Sequence, residues 1–177
     1  MSGVRRIIVG VSGSPGSLQA LRHAADLARI HQAVVIPVLT WTPPGGEIAD
    51  RSHPSPYLRK VWQEAAWQRL WEAIGLALGG IPDDVPFEPE VVRGEPGHVL
   101  TGVACHPGDL LVIGAGRRGP LAHARSCNVS RYCLAHAACP VVAVPPPALA
   151  QANHGLRGWA FRHRGLSPAD LELPAAH

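Results

Sequence analysis

Apolar residues in this chain fall in short unbroken runs that alternate with stretches of helical period. RIIVGV at Arg6–Val11 is a continuous apolar run, as expected of a strand covered on both faces. Residues 12–17 (SGSPGS) read as a turn in which Ser14 or Ser17 caps the following helix. That helix carries Leu18, Leu21, Ala25 and Ala28 on one stripe. Residues 33–41 form a second apolar run, so a strand–helix–strand unit with parallel pairing is predicted. Residues 42–56 are rich in Pro, Gly and charge and are expected to form a surface loop. Helical period returns over Pro56–Leu78, with Trp67, Trp71, Ile74 and Leu78 on one stripe and Leu58, Trp62 and Leu70 beside it. Gly79, Gly80 and Pro82 end it.

Residues 87–93 alternate weakly and predict a third strand. A short helix follows within 94–105, opened by Pro96 and stopped by Pro107. Residues 109–113 are strand four, 128–137 the next helix and Val141–Val144 strand five. The alternation predicts an α/β fold with an open parallel sheet and helices on both faces. A ligand site is expected at the carboxyl ends of strands one and four, where strand order reverses. Pro145, Pro146 and Pro147 close a domain spanning 1–147. Residues 148–177 have few aliphatics and no strong period, so a tail of low order is expected. In it Trp159, Phe161 and Leu166 offer docking side chains for the domain or a partner.

Composition narrows the function classes. The 177 residues are 46% hydrophobic and 16% charged, with a net charge of +3, too small and too scattered to argue for nucleic acid. No apolar stretch approaches the roughly 18 residues of a membrane span, and residues 7–11 are too short for a signal-peptide core. A cytoplasmic protein without membrane or nucleic-acid partners is expected. The four cysteines, Cys105, Cys127, Cys133 and Cys139, lack C-x-x-C spacing and are expected to be buried reduced thiols. His98, His106, His123 and His136 show no zincin or triad spacing, so no catalytic site is expected. His136 reads as a helix-face residue. Trp62, Trp67 and Trp71 read as a packed helix face rather than a ligand box.

RIIVGVSGSPGSLQALRHAADLA and, later, VIGAGRRGP with VSRYCLAHAACPVVAV resemble the opening and closing segments of the universal stress protein family. The resemblance covers roughly residues 4–146 and omits the tail. It implies an adenine nucleotide alpha hydrolase-like sheet in the order 3-2-1-4-5. It also implies a small stress-response regulatory module without turnover of its own, at most weak ATP hydrolysis. Relatives dimerise through the last strand, so the resemblance implies a homodimer through 141–144, and an unknown protein partner besides.

Nucleotide-binding members share a pattern of Gly, two residues, Gly, nine residues, then Gly followed by Ser or Thr. Aligned on Val129 and Ser130, Gly114 takes the first position, Arg117 the second, Cys127 the third and Asn128 the Ser/Thr position. Ser12 stands where many members have an acid at the end of strand one, and Val38 matches the position whose backbone contacts adenine. The candidate nucleotide-binding residues are therefore Gly10, Ser12, Val38, Gly114, Gly116, Arg117, Asn128, Val129 and Ser130, for ATP or ADP with Mg2+. Gly116 and Gly119 offer flexibility beside the lost glycine, and Arg117, Arg118 and Arg125 offer charge-assisted contacts to phosphate. Asn128 is a good N-cap that leaves helix N–H groups facing an anion. Cys127 argues the other way, because a side chain at the third glycine position is expected to project where the triphosphate would lie.

The readings left open are a partner-binding module with a degenerate ATP loop, a nucleotide-gated switch, and an adenylating enzyme of the pyrophosphatase-loop type. Residues 12–17 resemble that enzyme loop, but its acidic position is Gly16. The run 114–119 (GAGRRG) matches a dinucleotide pattern, yet it follows strand four, Pro120 interrupts it, and no acid lies at the expected distance beyond.

Overall fold

The computed structural model describes residues 3–115 and 126–147. In chain order the elements are β1 (Arg6–Val11), α1 (Pro15–His31), β2 (Val34–Trp41), α2 (Gly46–Ser52), α3 (Pro56–Leu78), β3 (Glu90–Arg93), α4 (Pro96–Val103), β4 (Asp109–Gly114), α5 (Ser126–His136) and β5 (Val141–Val144). The strands form one sheet in the order β3-β2-β1-β4-β5, and every pairing is parallel.

Two apolar layers sandwich the sheet, and alternation along each strand divides them. Ile7, Val9 and Val11 of β1, with Val35 and Leu39 of β2 and Leu110 and Val112 of β4, face α1 and α3. Ile8, Ile36, Val38, Leu111 and Ile113 point the other way, against Leu100 and Ala104 near α4 and Cys133 of α5. A strand buried on both sides must be apolar at consecutive positions, which is why these segments read as unbroken runs. At the amino ends of the central strands Arg6 ties β1 to β4. Its Nε and Nη2 donate to Asp109 at 2.9 and 3.1 Å, and Nη2 also donates to the Val103 carbonyl.

Several sequence expectations are corrected. The loop expected over residues 42–56 contains α2, a helix without an apolar stripe for periodicity to detect. The third strand is Glu90–Arg93; Phe87 makes only an isolated bridge to Val35. On α3 the core-facing residues are Ala66, Leu70, Ala73 and Ile74, whereas Trp71 is exposed and stacks on half-buried Trp67. Cys133 is buried as expected, Cys139 is half-buried, and Cys105 is exposed. The predicted tail 148–177 lies outside the described residues.

Candidate functional site

The chain leaves β1 through a turn that closes on itself. Ser14 is the N-cap of α1, its Oγ accepting from Ser17 N–H at 3.3 Å. Ser17 in turn accepts from Ser12 N–H at 3.2 Å and donates to the Ser14 carbonyl at 2.9 Å. The Ser12 and Ser14 hydroxyls lie 3.1 Å apart. Gly13 has φ of +75°, a left-handed conformation that lets the turn reverse without a Cβ penalty. Both Ser14 and Ser17 thus act at the helix start, Ser14 as cap and Ser17 as its brace.

At the end of β4 the backbone is equally constrained. A Cβ on Gly114 would lie 2.8 Å from the Gly16 carbonyl carbon and 3.0 Å from its oxygen, so only glycine lets the first turn of α1 sit there. On the opposite side Ser130 of α5 donates to the Gly114 carbonyl at 2.8 Å. The end of β4 is therefore gripped by both flanking helices. Gly10 and Val38 are register partners on β1 and β2. A Cβ on Gly10 would come within 2.9 Å of Leu100 Cδ1, so this glycine also serves the packing of α4.

The structure thus gathers Gly10, Ser12, Gly114, Val129 and Ser130 about the carboxyl ends of β1 and β4, with Val38 beside them on β2. Val38 is buried as a whole residue, its side chain packed in the layer with Ile36, Leu100 and Ile113. Gly116 and Arg117 lie outside the described residues, as do Arg118, Gly119 and Arg125. Asn128 lies in α5, and its side chain, like that of Cys127, is not among those described. None of Gly10, Ser12, Gly13, Ser14, Gly114, Ala115, Val129 or Ser130 carries an ionisable side chain.

A charged cluster that periodicity did not flag sits at the carboxyl ends of β2 and β3. Arg93 Nε and Nη2 donate to Glu47 at 3.0 and 2.7 Å, and Nη2 reaches Asp50 at 2.7 Å. Arg59 Nε donates to both Asp50 oxygens at 3.1 and 3.0 Å. The Arg93 guanidinium lies 5.6 Å from the centre of the Trp41 ring, within cation–π range. Hydrogen bonds from Arg93 to Glu47, and from Arg59 and then Arg93 to Asp50, hold both carboxyls below their ordinary range. The same carboxylates raise Arg93. The partners come from α2, α3 and β3, so no single helical spacing announces them.

Other polar groups are accounted for structurally. His136 is exposed on α5, stacked on Tyr132 at 4.2 Å, and the Tyr132 hydroxyl lies 2.8 Å from His98 Nδ1. Burial pushes the Cys133 and Cys139 thiols up, away from thiolate reactivity. Among the described residues no cluster of His, Cys, Asp or Glu forms a metal site, and no helix is long and apolar enough to cross a membrane.

The universal stress protein family model matches residues 3–145, the whole α/β sheet. The chain belongs to the universal stress protein family. Solved universal stress proteins share its fold. UspA from Lactobacillus plantarum is 22% identical with a TM-score of 0.57, over 81% of this chain and 99% of that one. A universal stress protein in complex with cAMP is 22% identical with a TM-score of 0.51, over 81% and 98%. Hypothetical protein MJ0577, solved as a structural-genomics test case, is 18% identical with a TM-score of 0.62, over 82% and 99%. No curated protein matches the chain. The universal stress protein sheet order 3-2-1-4-5, expected from the end motifs, is the order observed.

Proposed function

We propose that this universal stress protein is a non-catalytic cytoplasmic regulator that acts through homodimerisation along β5 and through a protein partner. Its nucleotide cradle is kept as backbone but is not equipped for Mg2+-ATP. The observation that carries this reading is at Ser12, where many members have an acid. Its hydroxyl is 3.1 Å from Ser14 Oγ, within its own turn, and none of the cradle residues Gly10, Ser12, Gly13, Ser14, Gly114, Ala115, Val129 and Ser130 carries a carboxylate. Magnesium held with a triphosphate takes oxygen ligands, usually including one or two carboxylates. The described cradle residues do not fit that requirement.

Against this, the β4 end of the cradle is kept as ordered backbone, with Ser130 of α5 donating to the Gly114 carbonyl. That favours a second reading, binding of an adenine nucleotide without metal, and one structural relative is a complex with cAMP. Thermal melting separates the two. A ligand at 100 times its dissociation constant adds about 2.7 kcal/mol, a shift of several degrees for a domain of this size. The regulatory reading expects no shift with millimolar ATP and Mg2+. A shift with cAMP or AMP alone supports the second reading, and a shift of several degrees with Mg2+-ATP replaces both with a nucleotide-gated switch.

A further inference from the structure

Helix α2 is held in place by charge. Its apolar residue Ile48 is 82% exposed, and of its seven residues only Asp50 is buried. So short a helix does not persist alone in water, and its position is set by what Glu47 and Asp50 touch. These two carboxylates, one helical turn apart, fill a site made by Arg59 of α3 and Arg93 of β3. Trp41 lies against Arg93 and packs on Trp62, with ring centres 6.5 Å apart. Both arginines belong to the body of the domain, and both carboxylates belong to the strap. The strap begins at Gly45 and Gly46, with φ of +86° and +83°, two residues that change backbone conformation at little steric cost.

A pair of planar guanidinium forks beside an indole is well suited to recognising carboxylates. The geometry points to α2 as an internal stand-in for an acidic partner. Arg59, Arg93 and Trp41 form a recognition site for a peptide presenting two carboxylates one helical turn apart, and α2 covers that site until such a peptide displaces it. This rests on the partner-binding reading above and names the surface and the chemistry of the partner. It does not depend on the cradle at β1 and β4, so nucleotide melting shifts and the test below fail independently.

The test uses a fluorescein-labelled synthetic peptide of residues 43–55 as probe. With Glu47→Gln and Asp50→Asn in the full chain, the tethered competitor is gone, and the probe is expected to bind at least about tenfold tighter than to the parent. Adding Arg93→Gln removes the gain. In the unaltered protein, excess probe speeds hydrogen exchange of the α2 amides, a readout that needs no variant to fold. Equal affinity for parent and double variant, indifference to Arg93, α2 exchange unchanged by the probe, or inorganic phosphate competing as well as the peptide would each overturn the proposal.

Discussion

Gly114 has a packing role besides any contact with a ligand. The Gly16 backbone occupies the space its Cβ would need, and the Ser130 hydroxyl holds its carbonyl. Gly114→Ala is expected to cost roughly 1–3 kcal/mol in urea unfolding, the range for forcing a side chain into a filled space. Ser130→Ala leaves that carbonyl without its hydroxyl and is expected to cost about 1 kcal/mol by the same measurement. A loss below a few tenths of a kcal/mol for Gly114→Ala would mean that α1 moves aside freely. Gly114 was legible in the sequence because a motif names it. Gly16 was not, because its role is the approach of two backbone segments far apart along the chain. Ser12 was legible as a missing acid, but its pairing with Ser14 and the brace from Ser17 required the turn itself.

At the level of elements, legibility followed burial. The central strands announce themselves because both faces are covered, and α1 shows a clean buried stripe of Ala20, Leu21, Ala24, Ala25 and Ala28. Helix α3 misled because its large apolar residues surround it, while the buried face is drawn by small ones, Ala66 and Ala73, beside Leu70 and Ile74. Helix α2 has no apolar face at all, so only its ion pairs mark it. Those pairs give it an acid-sensitive attachment. The folded carboxyl values of Glu47 and Asp50 are lowered by Arg93 and by Arg59, so their contribution is complete above the ordinary carboxylate value of about 4. It is lost as pH falls below that, through the lowered values. Hydrogen-exchange protection factors in α2 are expected to be constant from pH 5 to 8 and to fall below about pH 4, ahead of those in β1. Unchanged α2 protection at pH 3 would show that packing, not charge, holds it.

At the level of the whole molecule, the order 3-2-1-4-5 leaves β5 as an edge strand. The carbonyls of Pro140 and Val144 accept from β4 and from the residue after it, so the polar groups of Val141 and Ala143 point outward. Ala143→Pro removes an outward donor while sparing the ladder to β4. Light scattering on the eluting protein is expected to show a dimer for the parent and a monomer for this variant; a monomeric parent would remove β5 as the dimer seam. The topology was legible because helices alternate with strands and motifs mark both ends, whereas neither edge strand reveals from sequence what it meets. Gly114 is opposite Val144 in the sheet register, and its carbonyl and Cα meet α5 and α1 from opposite layers. A ligand seated at that strand end would lie one strand from the exposed edge and beside both helical layers, so under the proposed dimer its slot and the subunit seam would share β4 as a common wall.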